Sequence, residues 1–108
     1  MNEQVYWIYI LDCENNSYYT GYTTDLVRRF KEHLSGTAKC KYTRSFKPVR
    51  VAQCWQVHGN KSVAMKIEKY IKKISKKEKT QFVNFPDLLI QLFVCKPALK
   101  DFEEVNGA

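Results

Sequence analysis

Seven consecutive residues near the start of the chain, Val5-Tyr6-Trp7-Ile8-Tyr9-Ile10-Leu11, are aromatic, β-branched or aliphatic without a polar interruption. A strand with one wet face would alternate, whereas an unbroken run of strand-favouring side chains suits a strand buried on both faces. The fold must therefore cover this strand from two sides. With 108 residues the chain is long enough to bury a core around it but too short for two domains.

The rest of the chain supplies that cover. Glu14-Asn15-Asn16-Ser17 is turn chemistry, so Tyr18–Tyr22 reads as the second strand of a β-hairpin. Thr23-Thr24 can cap a helix, with Asp25 in its first turn. Leu26, Phe30 and Leu34 then recur at helical spacing up to a stop near Gly36. Thr37–Pro48 lacks periodicity and reads as a surface loop. Val49, Val51, Trp55 and Val57 alternate as a third strand. From about Ser62 a long amphipathic helix places Ile67, Tyr70, Ile71 and Ile74 on one stripe and Lys69, Lys72, Lys73, Lys76 and Lys77 largely on the other. Asp87–Val94 reads as a short apolar helix between Pro86 and Pro97. The expected architecture is α+β, in the order β-β-α-β-α-α, with one domain over residues 1–95 and a loose acidic tail over 96–108.

Charge is unevenly distributed. Residues 1–27 contain no Lys or Arg, residues 28–50 contain eight against Glu32 alone, and residues 61–79 contain eight against Glu68 and Glu78. With a net charge of +7 this favours a polyanionic partner, because phosphate neutralisation releases counterions. Candidate nucleic-acid contacts are Arg28, Lys31, Lys39, Lys41, Arg44, Lys47, Lys72, Lys73 and Lys76. The same lysines would equally solvate a helix face. Cys13, Cys40, Cys54 and Cys95 form no C-x-x-C pair and read as reduced, space-filling thiols rather than a zinc ribbon or redox motif. No apolar run approaches the ~20 residues of a membrane helix, so no membrane association is expected. The start, Met-Asn-Glu-Gln-Val-Tyr, shows no export signal, and the expected compartment is the cytoplasm.

Trp7-Ile8-Tyr9, then Tyr19-Thr20-Gly21, then Asp25-Leu26 with Arg28-Arg29 and His33 form an ordered constellation. Gly36, Tyr42-Thr43-Arg44, Pro48-Val49 and Ala64 with Glu68 and Ile71-Lys72 extend it. It resembles the GIY-YIG nuclease superfamily, in particular its small stand-alone bacterial branch, over roughly residues 5–88. Trp7 stands where the name motif has glycine.

The resemblance implies a small three-stranded antiparallel sheet flanked by helices and an endonuclease that cleaves DNA by water attack with one divalent ion, Mg²⁺ or Mn²⁺. Glu68 would hold the ion, Arg29 would pair with the scissile phosphate, Tyr9 would help deprotonate water and Tyr19 would orient water or phosphate. His33 is the competing base or shuttle. Gly21 reads as structural, permitting close backbone approach or an unusual dihedral. Across a turn near Glu14, Tyr9 and Tyr19 are expected at similar height on neighbouring strands. The chain has no room for a separate targeting domain, so a protein partner could supply target choice. Two other readings use the same residues: a non-catalytic nucleic-acid-binding module, and an adaptor docking through Leu88–Val94.

Overall fold

The computed structural model describes residues 4–107. Met1 to Glu3, part of the start that shows no export signal, and Ala108, the end of the expected tail, lie outside the described residues. Strand β1 (Val5–Cys13) pairs antiparallel with β2 (Ser17–Thr23) on one side and with β3 (Pro48–His58) on the other. Ile8, Tyr9, Ile10 and Leu11 are all essentially inaccessible, as the apolar run requires.

The hairpin turns through Glu14, Asn15 and Asn16. Asn16 adopts the left-handed conformation (φ 59°), which Asn tolerates well, and its amide donates to the Cys13 carbonyl at 3.0 Å. A β-bulge at Ala52 lets Ile10 face Gln53 while Leu11 faces Val51.

The sheet has four strands, in the order β2-β1-β3-β4, rather than three. Strand β4 is only Lys96–Pro97, paired to Trp55 and Gln56 of β3. Two residues carry no period, and a proline is tolerated there because the strand lies at the sheet edge.

Helix α1 (Leu26–Ser35) and helix α5 (Leu99–Asn106) cover the face that carries Tyr9, Leu11 and Cys54. Helix α3 (Lys61–Lys73) and helix α4 (Lys76–Asn84) cover the face that carries Ile8, Ile10 and Trp55. Asp25 caps α1 by accepting from the Arg28 amide at 3.1 Å, and Gly36 ends it in the left-handed region at φ 78°.

Three further expectations are corrected. The long lysine-rich helix breaks at Ser75, whose hydroxyl accepts from the Glu78 amide and donates to the Glu78 carboxylate, a side-chain N-cap that starts α4. Part of the expected 37–48 loop is helix α2 (Lys41–Ser45). Nor is the C-terminal region loose. Phe102 is buried edge-on against Phe30, with ring centroids 6.0 Å apart, so α5 is packed on the domain by an aromatic anchor within an otherwise acidic segment. Pro86–Gln91 is a single 3₁₀ segment. Among the described residues no helix is long and apolar enough to cross a membrane.

Candidate active site

Two sequence features build the floor of the site. On α1 the buried positions are Leu26, Phe30 and His33, while Leu34, expected on the apolar stripe, is 42% exposed. A histidine thus occupies a core position of an amphipathic helix, and at that depth both ring nitrogens need partners. Nε2 lies 3.0 Å from Tyr9 Oη, and Nδ1 lies 2.8 Å from Thr43 Oγ1 on α2.

The second feature is Gly21, which sits directly opposite Tyr9 in the β1–β2 register. A Cβ there would stand 2.5 Å from Tyr9 Oη. Gly21 therefore serves close approach: its missing side chain is the space through which the Tyr9 phenol lies. The two tyrosines are diagonal rather than level, since Tyr19 pairs with Leu11, yet their ring centroids are 6.5 Å apart. Tyr19 also meets His33 at 5.3 Å and stacks on Tyr42 of α2 at 6.1 Å.

Charged groups converge on these rings from both layers. Arg29 of α1 acts on Tyr9 by hydrogen bonding and charge, and is held by Glu32 at 3.3 Å. Helix α3 covers the opposite face of the sheet, but β2 is an edge strand, and side chains of α3 act around it. Lys72 Nζ lies 5.9 Å from the Tyr19 ring centre and 3.7 Å from Glu68, whose carboxylate is largely buried and exerts its charge on Tyr9. Of the five catalytic candidates, Tyr9, Tyr19 and His33 are brought into ring contact, Arg29 acts on Tyr9 by hydrogen bonding and charge, and Glu68 reaches Tyr9 through its charge, its direct partner being Lys72.

The electrostatics are those of a buried cluster of polar rings. Burial pushes the Tyr9 phenol up to about 12, against the pull of Arg29. Tyr19 is also raised, first by burial, so both phenols are protonated at neutral pH. His33 is lowered to about 4, by burial first and then by the Arg29 cation, and is neutral. Burial alone would raise the Cys40 thiol, but hydrogen bonding from Thr43, Tyr19 and Tyr42 outweighs it and lowers the pKa.

The nine candidate nucleic-acid contacts are all exposed. Lys72 stands at the Tyr19 ring, and Lys76 lies over Tyr18 at 5.8 Å and bonds the Asn16 carbonyl, so both border the hairpin. Lys41 and Arg44 flank Tyr42 and Thr43 on α2. Arg28 and Lys31 lie on α1 with Arg29, Lys39 and Lys47 flank α2 in the chain, and Lys73 ends α3.

Tyr42 and Thr43 belong to the Tyr-Thr-Arg motif, but nothing in the aperiodic stretch 37–48 signals their place against Tyr19 and His33. A surface hollow of about 540 Å³, lined by Asn84, Phe85, Pro86, Asp87, Leu88 and Gln91, shares no residue with this cluster. The four cysteines are free, and no group of three or more His, Cys, Asp or Glu among the described residues could hold a metal.

Comparison with known proteins agrees with the motif reading. The GIY-YIG catalytic domain matches residues 5–81, from β1 into α4. The chain is 46% identical over 80 residues to a UPF0213 protein of Cupriavidus necator, covering 74% of this chain and 85% of that one. A UPF0213 protein of Halalkalibacterium halodurans is 43% identical over 79 residues, covering 73% and 82%. The solution NMR structure of a UPF0213 protein from Bacillus halodurans is 42% identical, with a TM-score of 0.49, and covers 75% of this chain and 84% of that one. The domain match over most of the chain and the relatives above 40% identity agree with the motif order, and the chain belongs to the GIY-YIG nuclease superfamily.

Proposed function

We propose that this protein is a metal-dependent endonuclease that hydrolyses phosphodiester bonds in DNA, with Tyr9, Tyr19, Arg29, His33 and Glu68 as its catalytic residues. One observation carries the proposal: the buried Tyr9–His33 pair, 3.0 Å apart in the gap opened by Gly21, with a cation from α1 and a carboxylate from α3 acting on the same phenol.

Phosphodiester hydrolysis needs a water relieved of its proton and positive charge at the pentavalent phosphate. Arg29 suits the second need, since its planar fork binds phosphate oxygens in pairs. Its present partner is a part-exposed i,i+3 glutamate, an interaction worth no more than about 1 kcal/mol, so a phosphate can displace it.

The donor set fits a divalent ion of the hard type. Glu68 offers carboxylate oxygen beside the ring cluster, with Lys72 at 3.7 Å, and among the described residues no group of three or more His, Cys, Asp or Glu competes. Mg²⁺ commonly takes one or two carboxylates and fills its remaining positions with water and substrate phosphate. When bound, the ion would supply charge that polarises the phosphate and makes nearby protons more acidic.

The protein's own groups then move the proton. As the water oxygen bonds to phosphorus, its proton passes to Tyr9 Oη while the phenol proton passes to Nε2 of His33. The P–O bond to the leaving strand breaks, and that oxygen is protonated from solvent. Neutral His33 has the lone pair this step requires, and an incoming phosphate anion strengthens it as a base. Tyr19, kept protonated, would turn its hydroxyl from Cys40 to donate to water or phosphate.

The exposed lysines of α3 and α4 and the cations of α1 and α2 suit the flanking phosphates. Metal-dependent nicking of labelled DNA, lost in Arg29→Ala and Glu68→Ala while binding persists, is the expected result. Salt-sensitive binding without product from wild-type protein would replace this reading with a binding module.

A further inference from the structure

Thr43 has no part in the chemistry above, yet it is 1% exposed and spends its hydroxyl on the buried catalytic histidine. A neutral imidazole carries one proton, so one ring nitrogen donates and the other accepts, and the partner of one nitrogen decides the role of the other. The direction of the Tyr9–His33–Thr43 chain can be worked out from its ends.

At the Tyr9 end, a buried phenol at neutral pH carries its proton. Arg29 cannot receive it, because a guanidinium has donors and no acceptor. Among the described residues, the hydrogen-bond acceptor facing Tyr9 Oη is His33 Nε2. If Nε2 carried the imidazole proton, two donors would meet there and a buried hydroxyl would be left without an acceptor, which is costly.

At the other end, Thr43 Oγ1 can accept from Nδ1–H and still have its own proton to donate. The Cys40 thiol is within its influence, one turn earlier at the start of α2. Each group then donates in one direction, Tyr9 to His33 and His33 to Thr43, and the Thr43 hydroxyl keeps its own proton to turn towards Cys40.

We infer that Thr43 is a positioning residue that holds His33 as the Nδ1–H tautomer, leaving Nε2 unprotonated and aimed at the Tyr9 phenol. Its consequence for rate rests on the endonuclease reading, while the tautomer itself belongs to the free protein. The Oγ1 acceptor also supports the ring after it gains a second proton at Nε2, because Nδ1–H keeps its partner throughout.

The test is the ring ¹⁵N spectrum of His33 in substrate-free protein, recorded for wild type, Thr43→Ser and Thr43→Val. Wild type and Thr43→Ser are expected to show a protonated Nδ1 and an unprotonated Nε2. Thr43→Val, which keeps the shape but offers no acceptor, is expected to shift the proton towards Nε2. On DNA, Thr43→Val is expected to lose about 10- to 100-fold in cleavage rate, the size of loss that follows when the partner orienting a metal-bound histidine is removed, with Thr43→Ser near wild type.

A wild-type ring protonated at Nε2 overturns the inference, and so does a Thr43→Val protein whose tautomer is unchanged. If Thr43→Val does not fold, the wild-type and Thr43→Ser spectra still decide it. Expected tautomers in a protein that cleaves no DNA would leave this inference standing and remove the endonuclease reading.

Discussion

Burying His33 in neutral form should make the protein lose stability as the solution is acidified through a range where carboxylates remain ionised. The unfolded ring titrates near 6.5 and the folded ring at about 4. Above pH 6.5 neither state binds the proton and His33 contributes no pH dependence. Between 6.5 and 4 the unfolded chain binds a proton that the folded protein refuses, so stability falls with decreasing pH by up to ~1.4 kcal/mol per pH unit. Below 4 both states are protonated and the contribution is level again. From pH 7.5 to 5 this amounts to about 2 kcal/mol, a substantial part of the 5–15 kcal/mol typical of a domain. Urea unfolding of wild type and His33→Gln across that range isolates the effect, because other titrating groups are common to both. Gln can still donate to one neighbour and accept from the other but does not titrate. Wild type should lose about 2 kcal/mol more than the variant. Parallel stability curves, or a His33 ring titrating near 6.5 by NMR, would refute the assignment of a buried neutral imidazole.

Gly21→Ala should force Tyr9 away from His33, since the new Cβ would stand 2.5 Å from Oη. We expect destabilisation by about 1–3 kcal/mol in thermal melts and a loss of roughly 10²-fold or more in cleavage rate. Lys72→Gln and Lys76→Gln should each lower the slope of log affinity against log salt by roughly one if each contacts a phosphate. An unchanged slope would remove that residue from the interface. Phe102→Ala should cost about 3 kcal/mol by denaturant unfolding, because its ring is buried against Phe30. A loose tail would show no change.

The legible parts of the fold were those whose pattern is long enough to have a period. The β1 run, the hairpin turn chemistry, and Leu26 with Phe30 on α1 each repeat a signal over several residues, and the structure follows them. The four-residue spacing of Arg29 and His33 likewise put both on one side of a helix. What was missed is short or depends on contacts distant in sequence. The five residues of α2 and the two of β4 are too few for periodicity. The α3–α4 break is made by one Ser75–Glu78 capping interaction inside a continuous lysine-rich stretch. Helix α5 has an acidic surface, and its anchor Phe102 is meaningful only once Phe30 is known to face it. In the candidate site the motifs single out Tyr9, Tyr19 and His33, which the structure brings into ring contact, but the His33–Thr43 bond and the Tyr19–Tyr42 stack join α1 and β2 to a segment that reads as loop.

The central claim is that Tyr9, His33, Arg29 and Glu68 make a working phosphodiesterase site. Its most direct test is cleavage of labelled duplex, single-stranded, flap and four-way-junction DNA by wild type and Glu68→Ala in Mg²⁺ or Mn²⁺. Product from wild type in the presence of metal, absent with chelator and absent in Glu68→Ala, is the expected result. Folded wild-type protein that binds these DNAs and releases no product with either metal would contradict it.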